Sequence, residues 1–277
     1  MTALPFPPVS AADLVRLPKV ERRQGTIGRT VFHLAEVDST NRLMGDLARD
    51  GALPGTVVVA DHQVAGRGKG ERPWFSRPGE GLCLSILLSP KRPIEEVPQV
   101  TLVIAVAVAE AIIQATGVQP RVKWPNDLLV DGRKLCGILC ELISSADGDV
   151  HHVIAGIGLN IGLSVDDFPG SLQAIGTSLA IESGRAIDRF AVLPVLLDHL
   201  EAWVERWERE GFAPVRDAWV RLSCTLGKDI TLESEGTRCH GVAVDLGIDG
   251  SLSIRDESGE VHHFHYGETR LSSAIAG

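Results

Sequence analysis

Lys123-Trp124-Pro125-Asn126-Asp127-Leu128-Leu129-Val130-Asp131-Gly132-Arg133-Lys134-Leu135-Cys136-Gly137 is the stretch that decides the fold. Asp131-Gly132 separates two apolar runs, and this residue pair readily takes the positive φ angles of a two-residue hairpin turn. Lys134 to Ile143 should therefore return antiparallel to Leu128–Val130, after a short strand at Pro120–Trp124 and a turn at Pro125-Asn126-Asp127. Lys123, Asp127 and Lys134 then lie on connected strands near one another. Further along, residues 152–161 read as a buried strand, in which Gly156 and Gly158 mark a close approach to the backbone.

Upstream, Gln99 to Thr116 reads as a central helix, apolar around most of its circumference and closed by Gly117. Gly81–Leu88 and Thr56–Ala60 are apolar strands, and Val31–Leu34 another. Asp38-Ser39-Thr40-Asn41 offers N-cap residues ahead of a helix from Asn41 to about Ala48. Capping is one role for Ser39 and Thr40; a hydroxyl and backbone amides at a helix start also suit a polar ligand group. Between two strands lies Gly66-Arg67-Gly68-Lys69-Gly70-Glu71-Arg72-Pro73-Trp74. Its three glycines let the backbone approach a ligand, and Arg67, Lys69 and Arg72 bring three cations together. Such a loop is expected to be mobile alone and ordered around phosphate or carboxylate.

Downstream, Asp188–Glu210 and about Phe212–Leu222 read as amphipathic helices. After a composition shift near Cys224, short alternating strands follow at 229–233, 238–246, 252–256 and 260–266, as in a small β-barrel or sandwich. The expected division is a leader (1–30, with at most two helical turns at Ala11–Leu17), a catalytic domain (31–224) and a β-barrel (225–277). With 27 Lys plus Arg against 36 Asp plus Glu, the net charge of −9 argues against a general nucleic-acid binder. The N-terminus lacks a signal-peptide pattern, and the apolar run Val100–Ile113 is short for a bilayer and carries Glu110. Five scattered cysteines fit reduced thiols in the cytoplasm. His262, His263 and His265 read as one exposed strand rather than a metal site.

The glycine loop fits neither a P-loop, lacking G-K-[ST] at the required spacing, nor the Rossmann fingerprint, since Pro73-Trp74 stands where a helix should begin. Four segments taken together are specific: Asp38–Asn41; Gln63-x-x-Gly66-Arg67-Gly68-Lys69; Lys123–Asp127 with Lys134-x-x-Gly137-Ile138-Leu139; and Gly156-Ile157-Gly158-Leu159-Asn160-Ile161. From about residue 31 to 271 the chain resembles the biotin protein ligases. The resemblance implies an α+β fold, with a mixed, largely antiparallel sheet flanked by helices, as in class II synthetases and biotin–lipoyl ligases, plus an SH3-like C-terminal barrel. Lys69 departs from the family's second loop arginine, and Gly70-Glu71 from its x-Gly. Lysine keeps the charge but loses the planar fork.

The implied chemistry joins biotin to ATP as biotinyl-AMP, then passes the acyl group to a lysine of a biotin carboxyl carrier protein. Mg²⁺ would ride mainly on the phosphates. Matching positions imply catalytic roles for Lys134, Arg67, Asp127 and Lys123, with Asp127 orienting either the incoming amine or Lys134. They imply biotin contacts from Ser39, Thr40, Asn41, Gln63, Gly66, Arg67, Gly68, Lys69, Lys134 and Gly137. ATP contacts fall to Lys69, Arg72, Trp74, Lys123, Asn126 and Asn160. A lipoate or octanoate ligase of the same fold is one rival. A biotin-responsive repressor is another, although a 30-residue leader leaves no room for the winged helix of the repressing members. A DNA or membrane partner is not expected, and a homodimer is left open.

Overall fold

The computed structural model describes residues 15–16, 25–144 and 151–271. Its main sheet begins with β1 (Val15–Arg16) and β2 (Val31–Val37), crosses through α1 (Thr40–Arg49) to β3 (Val57–Gln63), and continues with β4 (Gly81–Leu88). After α2 (Val100–Thr116) come β5 (Arg121–Lys123), β6 (Asp127–Val130), β7 (Arg133–Ser144) and β8 (His151–Asn160). The order is β1-β2-β3-β4-β8-β7-β6-β5. Among the described strands only β2 and β3 pair in parallel, joined by the crossing helix α1. The Asp131-Gly132 turn, with φ of 47° and 78°, closes the β6–β7 hairpin as its sequence requires.

Strand periodicity divides the core between the two sheet faces. In β3, Val57 and Val59 join the cluster around α2, while Val58 and Ala60 join Leu43 and Met44 of α1. Counted with the 3₁₀ turn before it, the α2 run spans Ile94–Thr116, 23 residues, long and apolar enough to cross a bilayer. The apolar run Val100–Ile113, expected to be too short, is the middle of this longer helix. It is a core helix nonetheless, because Leu102 through Ala109 are all buried against the sheet and neighbouring helices.

Beyond β8 the chain forms α3 (Gly170–Gln173) and α4 (Leu179–Ser183), then α5 (Arg189–Glu210) and α6 (Ala213–Leu222). Asp188 caps α5 by accepting from the Phe190 amide. A second antiparallel sheet follows, ordered β12-β11-β10-β9-β13, from β9 (Asp229–Ser234), β10 (Thr237–Leu246), β11 (Leu252–Arg255), β12 (Val261–Phe264) and β13 (Glu268–Leu271). Buried Trp124 joins the two sheets: its amide donates to Thr225 Oγ1 (2.9 Å), its carbonyl accepts from Thr269 Oγ1 (2.6 Å), and its indole N–H donates to the Gly250 carbonyl (3.4 Å).

Two expectations need correction. Residues 15–16 are a strand paired with Phe32 and His33 rather than part of a helix, and the rest of Ala11–Leu17 lies outside the described residues. The C-terminal sheet gains a fifth strand, β13, which had no alternating pattern to announce it.

Candidate active site

One face of the sheet, the face that carries α1, forms the floor of a cavity of about 530 Å³. Cross-strand register lines up Gly137, Gly158 and Cys83 in one row and Leu139, Gly156 and Ser85 in the next. The glycines make room. A Cβ on Gly158 would stand 2.4–2.7 Å from the Trp74 indole, and one on Gly156 would stand 2.1 Å from Asn41 Oδ1. Burial pushes the Cys83 thiol in this row up to about 11.

The start of α1 and the end of β3 supply a polar corner. Ser39 holds the N-cap position, yet its side chain caps nothing, so the capping role does not account for it. The Thr40 amide and hydroxyl both reach Gln63 Oε1, at 2.8 and 3.0 Å. Ser85, fully buried, stands 2.8 Å from Thr40 Oγ1 and 2.6 Å from Asn41 Oδ1. Asn41 Nδ2 donates to the Leu139 carbonyl (3.2 Å) and to Glu141 Oε2 (2.7 Å). Both Asn41 amide hydrogens are thereby spent within the protein, whereas Ser39 Oγ at the cavity wall keeps its bonding capacity and Gln63 Nε2, which faces the Cys83 thiol, keeps at most one of its two hydrogens.

Cations ring the rest. Lys134 Nζ lies 2.6 Å from Asp127 Oδ1, an ion pair rather than a well-aimed hydrogen bond, and Lys123 Nζ lies 3.9 Å from Asp127 Oδ2. The Lys134 backbone is held on both sides, its amide donating to the Ile175 carbonyl and its carbonyl accepting from the Thr177 amide. Its ammonium also stands 5.5 Å from the centre of the Trp74 ring. Within the glycine loop Arg67 pairs with Glu141, Arg72 with Glu268 at 2.7 Å, and Lys69 Nζ donates to the Gly267 carbonyl at 2.7 Å. Burial holds both Lys69 and Lys123 below the ordinary lysine range; Glu268 opposes the shift at Lys69 and Asp127 the shift at Lys123. Asp127 is the only carboxylate among the cavity-lining residues, against the cations Arg67, Lys69, Arg72, Lys123 and Lys134.

Every site residue expected from the sequence lines this cavity except Gly66. Gly66 is buried behind it, where a Cβ would meet the Trp74 carbonyl at 2.7 Å. Asn126 and Asn160 line the wall with their amide groups turned to brace it, Nδ2 donating to the Ile138 carbonyl (2.7 Å) and the Thr177 carbonyl (2.9 Å). The three C-terminal histidines do not converge: His262 faces Asp256, His263 faces Ser253 and His265 faces Asp249.

Sequence reading missed Ser85, Glu141, Glu268 and the apolar wall of Phe168, Leu172 and Ile175. Ser85 carried a signal, as the lone polar residue of the apolar strand β4. The wall comes from residues 163–178, where short turns replace any periodic pattern.

The profile of the Biotin/lipoate A/B protein ligase family matches residues 34–160. Over 84% of its length the chain is 36% identical to the bifunctional ligase/repressor BirA of Bacillus subtilis, covering 71% of that protein. It is 33% identical to the biotin–[acetyl-CoA-carboxylase] ligase of Paracoccus denitrificans, with 82% of this chain and 94% of that one aligned. The structure of the Aquifex aeolicus biotin protein ligase in complex with biotin and ATP superposes with a TM-score of 0.77 at 30% identity, covering 88% of this chain and 99% of the other.

Proposed function

This chain belongs to the biotin protein ligase family, and from that premise we propose how its pocket joins biotin to a carrier lysine. Biotin's carboxylate attacks the α-phosphorus of ATP and pyrophosphate leaves; the lysine amine of a carboxyl carrier domain then attacks the acyl carbon and AMP leaves. The observation that carries the assignment is the charge pattern, with five cations and a single carboxylate around one cavity. Two anions must meet in the first step, and their repulsion falls only where fixed cations replace water.

Ser39 Oγ and the remaining hydrogen of Gln63 Nε2, whose other donor faces Cys83, meet the polar ring of biotin, with Thr40 behind them. Asn41, Gly66, Gly68 and Gly137 shape that half. Arg67, Lys69 and Lys134 meet the carboxylate and the α-phosphate between the halves. On the other side Trp74, with the apolar wall of Phe168, Leu172 and Ile175, suits the flat face of adenine. Asn160 keeps its Oδ1 for the purine edge, and Arg72, Lys123 and Asn126 flank the phosphates. Asp127, 2.6 Å from Lys134 Nζ, orients that ammonium and later accepts from the incoming amine.

Among the cavity-lining residues the only carboxylate is already paired with lysine, so the chain offers no oxygen cage of its own. The donor set fits magnesium arriving on the ATP phosphates, where it would offset their charge. The reaction belongs in the cytoplasm, a reading supported by five free thiols.

The test is to incubate the protein with labelled biotin, ATP, Mg²⁺ and a biotin carboxyl carrier domain, with lipoate and octanoate as competing acids. Label should appear on one carrier lysine from biotin alone. Transfer of lipoate or octanoate in preference to biotin would overturn the assignment.

A further inference from the structure

Glu141 lies on β7 outside the cavity lining, yet three elements meet at its carboxylate. One oxygen accepts from Asn41 Nδ2 of α1 (2.7 Å) and the other from the guanidinium of Arg67 in the glycine loop. Asn41 in turn accepts from Ser85 on β4, and Ser85 reaches Thr40, whose hydroxyl meets Gln63. A continuous chain of polar contacts thus runs from Gln63 at the ring corner to Arg67 in the loop. Gly156 leaves the room that Asn41 fills, its Oδ1 2.1 Å from where a Cβ would stand.

We propose that Glu141 is the positioning residue that fixes Arg67 relative to the ring corner, and so sets the distance between biotin's ring contacts and the cation that meets its carboxylate. The proposal rests on the reading of this pocket as a biotin site. Its chemistry is specific to a carboxylate. Both donors need an acceptor, and a carboxylate is an acceptor at both oxygens. A glutamine of the same shape has one acceptor and one donor, so its NH₂ must face either the Asn41 amide or the guanidinium, and one of them has to leave. The guanidinium is also matched in charge by the carboxylate, which a neutral amide cannot reproduce.

The experiment is calorimetric titration of biotin into the parent protein, Glu141→Gln, Glu141→Asp, Arg67→Gln and the Glu141→Gln/Arg67→Gln double variant. Loss of a charge-assisted bond predicts that Glu141→Gln weakens biotin binding by about tenfold or more, with KM for ATP at saturating biotin within about twofold of the parent's. Glu141→Asp, which restores the charge on a shorter stem, should recover part of the loss. The double variant should bind about as weakly as Arg67→Gln alone, because Glu141 acts through Arg67. Biotin affinity unchanged in Glu141→Gln, or losses that add in the double variant, would overturn the proposal. A residue that merely supported the fold would lower the unfolding midpoint and raise both KM values together, which would also overturn it. If the parent itself bound no biotin, the reading of the pocket would fail first and the proposal with it.

Discussion

Substituting Gly158 by alanine tests whether the two halves of the pocket are separable. The added Cβ would lie 2.4, 2.6 and 2.7 Å from three atoms of the Trp74 indole. Ordinary contact begins near 3.4 Å, so the ring must retreat by about 1 Å. Trp74 is only half-buried and lies at the cavity wall, so it can swing rather than strain the sheet. Overpacking costs about 1–3 kcal/mol in a closed core, and the low end applies here. What is lost is the surface offered to adenine. Forfeiting about 1–2 kcal/mol of that contact raises KM for ATP roughly 5- to 30-fold. Biotin binding, measured by titration without ATP, should stay within about twofold because the Asn41 corner is untouched. Gly156→Ala is the mirror case: its Cβ strikes Asn41 Oδ1 at 2.1 Å, so biotin binding should fall while KM for ATP at saturating biotin holds. Equal losses for both ligands in both variants would refute the division of the pocket, and so would the reverse pattern.

Lys134→Ala removes the cation paired with Asp127 but no core contact, since the side chain is half-exposed; adenylation, followed as pyrophosphate release, should drop by about 100-fold or more at an unchanged unfolding midpoint. Lys69 binds an anion only as ammonium, and burial lowers its pKa, so that charge is lost at lower pH than for a free lysine. The alkaline limb of the biotin-affinity profile should therefore fall early, and Lys69→Arg should move it upward; a limb that stays put in the variant would exclude Lys69. The same shift makes the lysine a stability burden below its folded pKa, a burden relieved as pH rises through that value. Deleting residues 225–277 strips the buried Trp124 of its partners Thr225, Gly250 and Thr269, and the fragment should lose cooperative unfolding; a melt at the parent's temperature would show the C-terminal sheet to be dispensable to the core.

Local chemistry made most of this legible in the sequence. The Asp-Gly turn, the β-branched strands and the apolar helix each carry their own signal, and Gly81–Leu88 matches β4 residue for residue. Gly156 and Gly158 announced close approaches, although not what approaches: one receives Asn41 and the other Trp74. Such pairings depend on cross-strand register, which no linear pattern states. Glu141 was hidden for the same reason, since its partners lie 100 and 74 positions away along the chain. Asn41 was expected to contact the ligand directly. Its amide hydrogens turn out to be committed to Leu139 and Glu141, a fact that emerges only when neighbouring acceptors are counted.

Charge in the glycine loop is the other point at which sequence and structure part. Three cations within six residues led to the expectation of a loop mobile on its own and ordered around an anion. As folded, each has a partner from elsewhere in the chain: Arg67 a carboxylate of β7, Arg72 a carboxylate of β13, and Lys69 a backbone carbonyl beside β13. Lys123 and Lys134 share Asp127 in the same way. An arriving carboxylate or phosphate therefore exchanges partners with cations that are already paired, and the net gain is a difference between two ion pairs rather than the full attraction of either. Because two of the loop's three partners, Glu268 of β13 and Gly267 just before it, come from the C-terminal module, that module sets how readily Lys69 and Arg72 are released to the substrate. The small sheet thereby enters the energetics of the first chemical step without lending it a reacting group.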